Sequence, residues 1–235
     1  MNKETKYVVL KFNMNNKNLL SFFDDLFSSN RFEKEGYLIY QLDALKINKD
    51  YELASLVDLI KVDFNEDVKI FESCVFKDDE ESLFNVIFDL YKKYVSKEYM
   101  NMSSLCMNIF EKDGRSKDLY IIRNIVVNIM KEENDLFTIA KAMYKNNLNV
   151  SKSANDAYMH RNTAINKLNI IKNKTGLNIQ NFQDAFILYL FMTYKNWLCK
   201  LHNLFLFNCI LNEVMVKYSL WNTKLHKQGG ILWQL

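Results

Sequence analysis

The chain has 235 residues, of which 49% are hydrophobic and 25% charged, a globular mixture able to bury a core and unlike a disordered composition. A net charge of +3 is too small to name a partner, so the distribution of charge carries more than its sum. With no proline, turns must be made from Gly, Asn, Asp and Ser, and the bias toward Asn and Lys follows genome composition as readily as function.

Tyr7-Val-Val-Leu-Lys-Phe12 is β-branched and aromatic and predicts a strand. Leu19 to Phe27 has helical spacing, which Ser28-Ser29-Asn30 breaks. Tyr37-Leu-Ile-Tyr40, after Gly36, predicts a second strand. Leu53, Leu56, Val57 and Ile60 fall on one helical face. Val68 to Phe76 predicts a third strand. Acidic Asp78-Asp-Glu-Glu81 suits the start of a helix carrying Leu83, Val86, Ile87, Leu90, Tyr94 and Val95. Strands and helices thus alternate to about residue 98, as in a small α/β domain.

After Met100 the strand signals fade. Leu119, Ile122, Ile125, Val126 and Ile129 form a helical stripe. Asp135 can cap a helix over Leu136–Asn146, with Ile139, Ala140 and Met143 inward. Ser151 or Ser153 can start a short helix containing Ala154 and Ala157. A third helix begins near His160-Arg-Asn-Thr163, turns Ile165, Leu168 and Ile171 inward, and ends at Thr175-Gly176, where Gly suits a C-terminal cap. Phe182, Phe186, Tyr189 and Leu190 predict one more.

Two short helices joined by a tight turn, the second with a polar N-terminus, describe a helix-turn-helix. Such a motif needs a small residue where the helices cross, and Ala154 supplies one. It also needs a polar face opposite the apolar seam, which Arg161, Asn162, Asn166, Lys167 and Asn173 provide. Between Leu136 and Gln180 seven basic residues meet a single acid, Asp156. A basic segment in an otherwise slightly acidic chain fits a nucleic-acid contact, and also fits a solvated helical face.

The run Asn147-Leu-Asn-Val-Ser-Lys-Ser-Ala-Asn-Asp-Ala-Tyr-Met-His-Arg-Asn-Thr163, continued by Leu168, Ile171 and Thr175-Gly-Leu177, resembles the C-terminal helix-turn-helix of PucR-type regulators. That group includes the bacterial purine-catabolism and sugar-diacid regulators. The resemblance spans about residues 134–194. It implies sequence-specific DNA binding by the helix over Arg161 to Asn173. Family members usually have Tyr-Arg-Leu where this chain has Asn166-Lys-Leu168, and Lys lacks the planar fork of Arg. Family members often carry a sensory α/β domain ahead of the DNA-binding end, and the strand–helix alternation is compatible with a shortened one.

Candidate DNA-contacting residues follow. Arg161 is expected at a phosphate or base edge, Lys152 and Lys167 at phosphates, and Thr163 at a phosphate or in helix-start chemistry. Asn162 can bond a base edge or cap the helix; Asn166 lies on the same helix. For His160, capping is the favoured role. Cys74, Cys106, Cys199 and Cys209 form no CxxC pair and no metal-ligand spacing with the histidines, so neither metal nor cofactor is expected. No nucleotide-binding glycine loop, nucleophile elbow or zinc-protease motif is present, and the chain is not read as an enzyme.

The expected architecture is α+β and mostly helical. An α/β sensory or assembly domain over 1–98 leads through a helical connector, 99–133, to a DNA-binding domain over 134–195. An apolar tail, 196–235, holds Trp197, Trp221 and Trp233. Lys200, Glu213 and several Asn interrupt it, which argues against a membrane span and for a dimerisation or packing helix. The N-terminus shows no signal peptide. These features describe a cytoplasmic, homodimeric transcription regulator that binds double-stranded DNA and responds to a small-molecule effector. The other reading is an interaction protein whose helix-turn-helix no longer binds DNA.

Overall fold

The computed structural model describes residues 4–44, 52–77, 80–113 and 117–193. The expectations for the tail, including its three tryptophans, Cys199 and Cys209, lie outside the described residues, as do residues 194–195 of the expected DNA-binding segment.

The architecture is α+β and mostly helical, with a small mixed sheet followed by helices. The elements run β1 (Glu4–Lys11), α1 (Lys17–Phe27), β2 (Asn30–Lys34), β3 (Tyr37–Asp43), α2 (Leu53–Asp63), β4 (Lys69–Lys77), α3 (Glu81–Tyr94) and β5 (Tyr99–Asn101). Six helices follow: α4 (Met102–Asp113), α5 (Lys117–Lys131), α6 (Asn134–Lys145), α7 (Val150–Asp156), α8 (Arg161–Thr175) and α9 (Phe182–Thr193). The five strands lie in the order β2-β3-β1-β4-β5. β1 pairs antiparallel with β3 and β4, and β4 pairs parallel with β5 across α3.

Because side chains alternate along a strand, the sheet has two apolar faces. Val8, Leu10, Leu38, Tyr40 and Ile70 pack with Leu19 and Phe23 of α1 and with Leu56, Val57 and Ile60 of α2. On the other face Tyr7 stacks on Phe84 of α3, with ring centroids 3.8 Å apart, and Phe71 stacks on Tyr91 at 4.5 Å. Each of these side chains contributes about 1.5–3 kcal/mol by leaving water.

Several expectations are corrected. Residues 30–34 form an edge strand, where only a helix-breaking turn is expected from the sequence. β2 and β3 make a hairpin whose turn, Glu35-Gly36, has φ of 53° and 76°. Left-handed geometry at both positions matches the twist of the flanking strands. A short strand and a helix, β5 and α4, lie where the strand signals fade. α7 begins at Val150 and is capped by Asn149, whose side chain accepts from Lys152 N, rather than by Ser151 or Ser153. α6 begins at Asn134, so Asp135 lies in its first turn rather than at the cap. In α8 the fully buried residue near the start is Ala164, while Ile165 is half-buried. Among the described residues no helix is long and apolar enough to cross a membrane.

Candidate nucleic-acid interface

α6, α7 and α8 pack against one another as a helix-turn-helix. The turn after α6 uses two left-handed residues, Asn147 (φ 51°) and Leu148 (φ 61°). Leu148 N donates to Met143 O at 2.7 Å, which closes the end of α6. Ser153 then pins α7 to α6: its buried hydroxyl contacts Ala142 O at 3.1 Å and Asn149 O at 2.7 Å. Ala154 is buried beside it, as a close helix crossing requires. Tyr158 (φ 54°) reverses the chain after α7, and Met159 N donates to Ala154 O at 2.8 Å.

His160 caps α8, its Nδ1 accepting from Asn162 N at 3.3 Å. The backbone N–H of Asn162 is therefore satisfied by His160, and the Asn162 side chain is exposed. Arg161, Thr163 and Asn166 are also exposed along α8, and Lys152 is exposed on α7. Arg161 Nε donates to Ser151 Oγ at 3.2 Å. That bond sets the guanidinium beside the first turn of α7, which carries Lys152. The opposite side of α8 buries Ala164, Leu168, Ile171 and Thr175. Gly176 ends the helix with φ 73°.

Lys167 stands apart from this group. Its ammonium lies 2.7 Å from Glu133 and 3.7 Å from Asp135 at the start of α6. The basic segment is partly neutralised in the same way elsewhere. Lys145 pairs with Asp156 at 2.7 Å, and Lys174 with Glu4 at 2.9 Å and Glu132 at 3.5 Å. Glu4, Glu132, Glu133 and Asp135 all lie outside the window in which the sequence shows its excess of base. Lys141, Lys152, Arg161 and Lys172 make no ion pair with a described residue.

Residues 136–193 match the PucR C-terminal helix-turn-helix domain. The match supports a transcription regulator with DNA as its partner. No curated protein matches the chain. Among solved structures it is distantly similar to a regulator of polyketide synthase expression from Bifidobacterium adolescentis. That likeness has a TM-score of 0.36 at 10% identity, over 82% of this chain and 80% of the other.

The PucR-type domain is not suspended from the rest of the structure. α8 packs on β4 as well as on α5, and α9 packs on α4. Asp184 of α9 is buried, accepting from Ser103 Oγ of α4 and from Asn178 N at 2.8 Å. Burial raises its carboxyl above the usual range, and the bonds from Ser103 and Asn178 only partly offset this.

Two exposed residues of the PucR-type domain were not singled out from the sequence. Tyr158, at the turn before α8, is 99% exposed. Asn169 is exposed on α8 in line with Asn162 and Asn166, a relation that helical spacing could have revealed. Among the described residues no three His, Cys, Asp or Glu side chains gather as a metal site. Cys74 and Cys106 are buried, and burial pushes the Cys74 thiol up to about 12.

Proposed function

We propose that the chain is a sequence-specific regulator of transcription in which α8 enters the major groove of double-stranded DNA. The observation that carries this reading is the exposed polar face of α8, presented by a helix-turn-helix inside the segment that matches the PucR domain. Arg161, beside the α7 start, is the base or phosphate contact of the first turn. Asn162 and Asn166 face base edges, and Thr163 bonds a phosphate. Lys152 contacts a phosphate from α7. His160 contributes chiefly by holding the first turn of α8 in place. Lys167 has to leave Glu133 to reach a phosphate, so we assign it the smallest share.

A homodimer places two such helices about one DNA turn apart. The N-terminal α/β part senses a small-molecule effector or mediates assembly, and the protein acts in the cytoplasm.

Fluorescence anisotropy of the full chain with genomic DNA fragments, titrated across salt concentrations, tests this. Phosphate contacts give a log–log slope of about −0.9 per neutralised phosphate. No salt-sensitive binding to any fragment overturns the reading. It leaves the alternative, a helix-turn-helix that mediates protein contacts, which the pairing of Lys167 and Lys174 with carboxylates favours.

A further inference from the structure

α8 carries four asparagines: Asn162, Asn166, Asn169 and Asn173. Their spacing of four, three and four residues places them within an arc of about 60° on a helix of 3.6 residues per turn. The buried Ala164, Leu168, Ile171 and Thr175 occupy the opposite side. All four asparagines are exposed, and none of their side-chain amides bonds another described residue.

Asparagine is a poor residue for a helix interior, because its amide competes for backbone groups. Four on one stripe therefore weaken α8 without returning a side-chain hydrogen bond to any other described residue. Two of the three lysines of the same helix are drawn away from this face. Lys167 is drawn to Glu133 at the start of α6, and Lys174 to Glu4 and Glu132. What α8 offers outward is thus a column of carboxamides, flanked by Arg161 at its first turn and by exposed Lys172 near its end.

A carboxamide presents an amino N–H donor and a carbonyl acceptor side by side. The major-groove edge of adenine presents the complementary pair, an N6 amino donor and an N7 acceptor. Neighbouring amides on α8 are about 4.5–6 Å apart along the axis, so they fall on adjacent or next-adjacent base pairs. From this arrangement we infer that Asn162, Asn166 and Asn169 determine specificity by reading adenines, and that the operator is an A·T-rich major-groove site. Asn173, at the far end of the helix, contributes least, because recognition helices contact bases mainly through their N-terminal part. The inference rests on the proposed entry of α8 into the groove and adds the base that it selects.

The experiment is selection of binding sites from a random duplex pool by the full chain, followed by anisotropy on the selected site. The expected motif has adenines at fixed spacing. Asn166→Ala and Asn169→Ala each lose about tenfold in affinity and accept any base at one motif position. Replacing the adenine there by 7-deazaadenine, which lacks the N7 acceptor, weakens wild type by a similar factor and leaves the matching Ala variant unaffected. Circular dichroism and the urea midpoint of each variant establish that it is folded. A selected motif without fixed adenines, or an unchanged motif in both variants, overturns the adenine reading while leaving DNA binding intact. A pool that yields no enriched sequence overturns both.

Discussion

The ammonium of Lys174, in the last turn of α8, lies 2.9 Å from the carboxylate of Glu4 at the first residue of β1. The pair joins the end of α8 to the central strand of the sheet. Glu132 extends the link, since it lies 3.5 Å from Lys174 and 2.7 Å from Lys77 of β4. Lys174 and Glu4 are only 20% and 25% exposed, so solvent screens them less than a surface pair. A double-mutant cycle with Lys174→Met and Glu4→Gln is expected to give a coupling energy of about 1 kcal/mol in urea unfolding. A coupling near zero would reduce the link to a surface coincidence.

The same packing predicts cooperativity. The described residues up to Thr193 group as one compact unit. Unfolding followed by far-ultraviolet circular dichroism and by tyrosine fluorescence should therefore give coincident transitions for this part of the chain. Two separated midpoints would show that the DNA-binding segment opens independently of the sheet.

Gly176 tests how α8 ends. Its φ of 73° is unfavourable for any side chain, and a Cβ there would stand 3.0 Å from both Cβ and Cγ of Met102. Gly176→Ala is expected to destabilise by about 1–2 kcal/mol, from left-handed strain plus displacement of Met102. The companion variant Met102→Ala removes the contact with Cγ but keeps the contact with Cβ and the strain. In that background the effect of Gly176→Ala should shrink without vanishing. An unchanged urea midpoint for Gly176→Ala would exclude both contributions.

Asp184 sets an unusual pH dependence. Burial raises its carboxyl pKa above the unfolded value, so between those two pKa values the folded state binds more protons than the unfolded state. Its contribution to stability is complete below the unfolded pKa and is lost as pH rises through the folded one. Asp24 behaves oppositely. Burial pushes it up, but the Tyr40 hydroxyl and the Arg31 guanidinium outweigh that and lower it, so its contribution is lost on acidification. Comparing urea midpoints of wild type and Asp184→Asn at pH 7 and pH 4 separates the two. The variant should gain on wild type as pH rises, and a difference independent of pH would refute the assignment. Asp184→Ala should cost about 1–3 kcal/mol at either pH, by stranding the Ser103 hydroxyl and the Asn178 N–H.

Much of this was legible in the sequence, for identifiable reasons. The stripes through Leu56 and Ile60, and through Ile122 and Ile129, mark buried helix faces because one period governs both pattern and burial. Gly176 was readable as a cap because few other residues tolerate its φ. β2 was not readable. Its Arg31, Glu33 and Lys34 carry no apolar alternation, and it is held by backbone pairing to β3. The burial of Met102, Leu105, Cys106 and Ile109 does follow a helical spacing, but three-residue β5 precedes it and the change from strand to helix is abrupt. The charge of the candidate interface was legible only in part. Lys167 and Lys174 count as basic in sequence, yet Glu133 lies just before the basic window and Glu4 at the far end of the described chain.

Arg161 and Lys152 should separate by the kind of binding each supports. The Arg161 Nε donates to Ser151 Oγ, which restrains the guanidinium, and neither Nη bonds a described residue. An oriented fork of this type suits bidentate contact with a guanine edge or a phosphate, whereas the exposed Lys152 ammonium acts as a point charge. If Arg161 reads a base, Arg161→Ala should weaken specific binding by about 1–3 kcal/mol and relax preference at one position of the site. Lys152→Ala should weaken all sequences about equally and make the log–log salt slope shallower by about one. Anisotropy with specific and scrambled duplexes, each across salt, distinguishes the two variants. Arg161→Ala acting equally on both duplexes would assign Arg161 to a phosphate. Binding unchanged by Arg161→Ala would mean that α8 does not enter the groove with its first turn.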